Sequence, residues 1–372
     1  MTTFDPAEIA TLASAFADRE TVDSETYPDV NVAELKARRL LGAAFSPALG
    51  GRGWTLPEAV RAIEAVAAGS PSTALIWAMP LGLSGVYALG PDAALSLHRA
   101  PGAAQIEEVA ARFSAGELFA ACNSERGAGG SLAATTTVSR RDEDGVFHLT
   151  GEKILATSGT RAQHFFSTAK ATAEDLPGTG VVEFFFVRTD APGVEVMDDW
   201  DGFGMRSTQS QSVRYTAAPA WALLGFPNFI EVVQPIQYWY CLFAAVPLGC
   251  ARGMIEELSR PVPQSPAIRL RLADATMRYE ALRAYLLETA SGWRAAAGPQ
   301  YAARVLRTKT YVSQEATRLC AELFALGGGR HYRRTGRVAR LLADSFAGTA
   351  LRPPLPLALE QLTEQFGPAF ED

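Results

Sequence analysis

The sequence predicts an α+β protein: an N-terminal helical domain over residues 1–116, a central antiparallel β domain over 117–219 and a C-terminal four-helix bundle over 220–372. Three observations predict it. Apolar residues recur at helical spacing through residues 5–110, and they do so again after Pro219. Between about 118 and 217 the chain changes character, with β-favouring runs separated by turn signals. Nearly half of the 372 residues are apolar, enough to bury a large core in two or three subdomains.

In the first part, Val32 to Leu41 reads as a helix with Asn31 as its N-cap, stopping before Ser46-Pro47 because proline disfavours helical geometry in the residue before it. Leu49-Gly50-Gly51-Arg52-Gly53 is then a loop. Thr55 caps the next helix, with Pro57 and Glu58 in its first turn and Val60, Ile63 and Ala67 on its buried face. Gly69-Ser70-Pro71 ends that helix. Ser72 to Leu83 is apolar on every side, as suits the interior of a helical domain, and 104–114 is an ordinary amphipathic helix.

The β part opens with Leu118 to Ser124, an apolar run that leads into Glu125-Arg126 and the glycine-rich Gly127-Ala128-Gly129-Gly130-Ser131. From Ala133 to Thr150 two β-favouring runs flank Asp144-Gly145, a hairpin signal. A second tight turn at Gly151-Glu152 is expected to return the chain into Ile154 to Gly159, so that two strand ends with small hydroxyl or amide residues lie side by side. His164–Lys170 and Val181–Arg188 follow as strands around the turn Asp175-Leu176-Pro177-Gly178. In the last part Gln234–Leu258, with an expected kink at Pro247, Ile268–Ala297 and Tyr301–Leu326 carry apolar stripes. A final helix after Gly336 completes the bundle.

The net charge of −6 and the interspersed charges argue against a nucleic-acid or anionic-membrane surface, which favours a clustered basic excess. The N-terminus does not read as a secretory signal, and the apolar runs Trp221–Phe226 and Tyr238–Cys250 are too short to span a bilayer, so a cytoplasmic protein is expected. Cys122, Cys241, Cys250 and Cys320 show no pairing spacing and read as reduced, mostly buried thiols. With His98, His148, His164 and His331 equally scattered, no metal site is expected.

Several segments carry a resemblance. Ala121-Cys122-Asn123-Ser124-Glu125-Arg126-Gly127-Ala128-Gly129-Gly130-Ser131 and Leu155-Ala156-Thr157-Ser158 are similar to the two segments that bracket the flavin ring in the acyl-CoA dehydrogenase superfamily. Pro47 to Gly53 resembles that family's Pro-x-x-x-Gly-Gly-x-Gly signature. The run Trp200 to Thr208, with Ser210, resembles its Gly-x-x-Gly-x-Arg-x-Thr-x-Ser loop, and Gly327-Gly328-Gly329-Arg330 its Gly-Gly-x-Gly segment. The resemblance implies FAD, with FMN as the alternative, held by Cys122, Asn123, Ser124, Leu155, Thr157, Ser158, Gly328 and Gly329. Ser124 and Thr157 would serve as donors to the ring edge. It implies substrate contact at Gly130 and Ser131, where the family has Ser-Asp. It also implies a homodimer or homotetramer, and as partners a small-molecule substrate such as an acyl-CoA and a flavin reductase or electron-transfer flavoprotein.

An acyl-CoA dehydrogenase needs a carboxylate base to take the α-proton while hydride leaves the β-carbon for flavin N5. The resemblance places that acid at Ala347, within Phe346-Ala347-Gly348-Thr349, or at Trp239, eight residues before Pro247-Leu248-Gly249. Neither is acidic, which leaves Asp344 and Glu231 as weak candidates. The family's Arg-x-x-Phe-Gly segment is replaced by Ser259 to Pro266, so phosphate contacts would fall to Arg260, Arg269 or Arg330. The expected function is flavin-dependent oxidation of an acyl-CoA or similar substrate. A flavin monooxygenase using reduced flavin and oxygen is one alternative, and a non-catalytic binding or assembly protein on the same fold is another.

Overall fold

The computed structural model describes residues 4–87, 99–172, 174–176 and 182–364. His98, Pro177, Gly178 and Val181, named above, lie outside the described residues. Helices α1 (Pro6–Val22), α2 (Asp29–Ala37), α3 (Leu56–Ala67), α4 (Pro71–Tyr87) and α5 (Arg99–Ser114) precede the strands. Helix α3 begins with the expected Thr55 cap, which forms a capping box with Glu58. Asn31 does not cap α2, which starts two residues earlier. It is buried instead, donating to Thr73 Oγ1 at 2.9 Å and accepting from Arg19 at 2.8 Å. Every residue of α4 is buried, because α3 and the later helix Ile236–Leu258 cover it on one side and the β part on another.

The strands are β1 (Phe119–Cys122), β2 (Val138–Arg141), β3 (Phe147–Ala156), β4 (His164–Lys170), β5 (Val182–Arg188), β6 (Val194–Val196) and β7 (Gln211–Leu223). Strands β4, β2, β3, β7 and β5 pair in sequence and β5 returns to β4, which closes a barrel. Five strand pairings among the described residues are antiparallel. Two are parallel, β1 with β4 and β2 with β4, and these set β1 and β2 along the same edge of β4. The Asp144-Gly145 hairpin joins β2 to β3 as the sequence predicts. Gly151 makes no turn. Strand β3 runs through it, and the irregularity there is a register shift against β7.

Helices α6 (Phe229–Val233), α7 (Ile236–Leu258), α8 (Pro266–Ser291), α9 (Pro299–Gly327), α10 (Arg337–Ser345), α11 (Ala347–Ala350) and α12 (Leu355–Glu364) follow. Helices α7 to α10 pack as the bundle; the expected last helix is short and the chain goes on into α11 and α12. Helix α8 ends at Ser291, six residues before the expected end, and α7 continues through Pro247. The core runs continuously from α3 and α4 through β4 and β5 into α7: Phe166 stacks on Trp239 at 5.5 Å between ring centres. That contact needs glycine opposite it, since a Cβ at Gly82 would lie 2.1 Å from Trp239 Nε1. All four cysteines are free and buried, and among the described residues no helix is long and apolar enough to cross a membrane and no cluster of metal ligands forms.

Candidate functional site

The ends of β1 and β3 meet. Ile154 N–H donates to the Ser124 carbonyl at 2.8 Å, an isolated antiparallel bridge that sets Asn123-Ser124 beside Leu155 and Thr157. A buried ion pair fixes the junction: Lys153 Nζ lies 2.6 Å from Glu125, whose carboxylate also accepts from Thr136 and from Thr137 N–H. Burial alone would raise the Glu125 pKa, but these partners hold it well below the usual carboxylate range. Past Lys153 the register of β3 against β7 shifts and Leu155 takes φ 59. A branched residue rarely adopts that backbone region, and here it leaves Leu155 half-exposed at the wall of a cavity.

That cavity, of about 300 Å³, lies where the barrel meets α4, α7 and the α10–α11 turn. Asn123, Ser124, Leu155 and Thr157 line it, together with an aromatic wall that includes Phe166, Trp200, Phe203, Trp239 and Phe346. Thr157 Oγ1 is 3.2 Å from Ser210 Oγ, which is 2.7 Å from Thr208 Oγ1, and Thr208 donates to the Met205 carbonyl at 2.8 Å. With the Thr208 hydrogen committed, the chain that satisfies each contact runs Thr157 to Ser210 to Thr208. Thr157 then offers the cavity lone pairs, an acceptor where the sequence suggested a donor.

The other residues singled out are distributed differently. Cys122 is buried at the end of β1 and Ser158 accepts from the Tyr27 hydroxyl at 2.9 Å; neither lines the cavity. Gly130 packs toward Pro354, and Gly130, Ser131, Gly328 and Gly329 are also absent from the lining. Asp344 does not open on this cavity. Its Oδ1 accepts from Met205 N–H at 2.6 Å, and it faces a second cavity with Glu20 and Arg340. Burial pushes the Asp344 pKa up to about 6, while its geometry holds the Gly204-Met205 loop. Glu231 lies on α6, also outside the lining, and Arg206 pairs loosely with Glu25 at 3.7 Å. Both positions where the resemblance would place an acid do line the cavity, as the Ala347 methyl and the Trp239 indole, and among the described residues no carboxylate lines it.

Sequence reasoning missed Arg352, the single charged residue of the lining among the described residues. One of its nitrogens donates to the Asn123 carbonyl at 3.1 Å and another is buried without a partner among the described residues. The local sequence Leu351-Arg352-Pro353 gives no signal for it. A half-exposed apolar wall, open acceptor lone pairs and an orphaned guanidinium nitrogen together fit a flat ring with a polar edge. Ser124, Leu155, Thr157 and Arg352 are the residues that would hold a flavin.

Comparison with known proteins decides the family. Residues 120–218 match the acyl-CoA dehydrogenase middle-domain model, and residues 254–351 match the acyl-CoA dehydrogenase C-terminal-domain model. The chain belongs to the acyl-CoA dehydrogenase superfamily. It is an acyl-CoA dehydrogenase-like flavin oxidoreductase, with the superfamily's order of N-terminal helices, central β-barrel and C-terminal helical domain.

Two relatives of different chemistry are similar to it in sequence. A probable acyl-CoA dehydrogenase, YngJ of Bacillus subtilis, is 25% identical over 82% of this chain and 81% of its own length. L-evernosamine nitrososynthase of Micromonospora sp. is 30% identical over 58% of this chain and 48% of its own. Among solved structures, butyryl-CoA dehydrogenase of Megasphaera elsdenii has a TM-score of 0.81 at 20% identity, covering 96% of this chain and 97% of its own. The dibenzothiophene monooxygenase TdsC of Paenibacillus sp. A11-2, solved with FMN and indole, has a TM-score of 0.81 at 20% identity, covering 97% and 96%. At such identities the structural likeness is one of fold.

Proposed function

We propose that this superfamily member is a flavin-dependent monooxygenase acting on a small, largely apolar molecule. One observation carries the reading: among the described residues no carboxylate lines the cavity, whereas α,β-dehydrogenation of an acyl thioester requires one within hydrogen-bond reach of the α-proton. Flavin, once bound and reduced, supplies two electrons to dioxygen, so that one oxygen atom passes to the substrate and the other leaves as water. The chain's own residues then have three tasks. Ser124, Thr157 and Arg352 orient the polar edge of the ring, Leu155 and Trp239 exclude water from its face, and Phe203 and Phe346, both exposed at the cavity, meet the substrate. The nitrososynthase relative and the monooxygenase of like fold support this reading.

A dehydrogenase remains the second reading, favoured by the relative matched over 81% of its length and by both family models. Under the first reading a flavin reductase is the electron-supplying partner, under the second an electron-transfer flavoprotein, and FMN or FAD serves in either. Anaerobic mixing of the flavin-loaded protein with a series of short- to long-chain acyl-CoAs separates them. The monooxygenase reading predicts that the oxidised flavin spectrum persists with every thioester. Bleaching by any of them within a catalytic timescale contradicts it and installs the dehydrogenase.

A further inference from the structure

Arg352 is a largely buried charge that forms no ion pair among the described residues. Its Nη2 donates to the Asn123 carbonyl at 3.1 Å, and Nη1, which is buried, has no hydrogen-bond partner among the described residues. The carboxylate that acts on it, Glu125, is already engaged by Lys153 at 2.6 Å and by Thr136 and Thr137. A second buried cation stands behind it. Lys309 Nζ donates to the carbonyls of Leu351 and Pro353 at 2.7 Å each, so the residues on both sides of Arg352 are pinned. Burial lowers the pKa of both cations, that of Lys309 to about 7. Two buried positive charges beside an apolar cavity cost free energy that a bound anion would recover.

We propose that Arg352 is the counter-charge for the negative charge that flavin acquires on reduction, so that the cavity holds reduced flavin more tightly than oxidised flavin. This rests on the flavin reading given above. The oxidised ring is neutral, and two electrons with one proton convert it to a monoanion at neutral pH. Asn123, which anchors Nη2, adjoins Ser124, so the guanidinium shares a strand end with the residues assigned to the ring. A planar, permanently charged group with a free N–H suits a delocalised anion better than an ammonium does. Arg352 therefore acts on the cofactor's electronics and binding, not on the substrate.

The test compares anaerobic binding of FMN and of dithionite-reduced FMN to the wild type, to Arg352→Gln and to Arg352→Lys, with thermal melts to establish that each is folded. The wild type is expected to bind reduced FMN more tightly. Arg352→Gln is expected to lose about ten- to a hundredfold in affinity for reduced FMN, the loss typical of a charge-assisted bond, with little change for oxidised FMN. The midpoint potential of bound flavin then falls by about 30 mV per tenfold change in that ratio. Arg352→Lys recovers part of both. Equal weakening of the two forms overturns the proposal and assigns Arg352 to the phosphate, which both forms carry. Equal affinity of the wild type for the two forms also overturns it, without need of a folded variant, and leaves the flavin site standing. A wild type that takes up neither form removes the flavin reading and this proposal with it.

Discussion

Single buried residues are held by bonds that cross long stretches of chain, and this limits what the sequence discloses about them. Glu20 on α1 is a case with a measurable consequence. It is buried, bonded to Ser70 Oγ at 2.5 Å, and its pKa is raised to about 8 by burial first and by Asp344 second. A carboxyl with a raised folded pKa contributes stability that is full below about pH 4.5 and is lost as pH rises through about 8. Urea unfolding at pH 5, 7 and 9 should therefore show the wild type losing on the order of a few kcal/mol toward the alkaline end. Glu20→Gln, which cannot ionise, should lose much less over that window, and parallel profiles for the two proteins would refute the assignment. The same long reach hid Arg352, whose partner lies 229 residues away, and gave Asn31 a buried bond to Thr73 in place of a capping role. Short-range chemistry was legible: the Thr55 cap and the Asp144-Gly145 hairpin stand where their residues placed them.

Elements are positioned by close approach, and α4 against α7 is the tightest case beside the cavity. Trp239 on α7 fits over Gly82 of α4, donates Nε1–H to the Met79 carbonyl at 3.3 Å and presents its ring to Phe166. Gly82→Ala gains about 1 kcal/mol of helix propensity but must displace a buried indole, which costs about 1–3 kcal/mol. The expected outcome is a lower melting temperature with a changed tryptophan emission and weaker flavin uptake, and an unchanged emission spectrum would show that the indole had not moved. Glycine in an apolar run looks unremarkable in sequence, since its reason lies on another helix. Strand β3 shows the complementary failure. Gly151 reads as a turn, yet pairing with β7 on one side carries the strand straight through, and the irregularity became a bulge.

The molecule as a whole followed from periodicity and turn chemistry, because helices before the barrel, the barrel itself and helices after it bury different patterns of apolar residues. Periodicity said nothing of barrel closure, which depends on the parallel pairing of β2 with β4 and the return of β5 to β4. Family resemblance singled out the segments at the ends of β1 and β3, and the structure brings Asn123, Ser124, Leu155 and Thr157 to one cavity while Gly130, Ser131, Gly328 and Gly329 stay outside its lining. The most direct measurement of the central claim is the absorbance of the purified protein with added FMN or FAD, followed through dithionite reduction and admission of air. The monooxygenase account predicts a perturbed flavin band and reoxidation within seconds of contact with air. Bound flavin that stays reduced in air, or no uptake of either flavin, would contradict it.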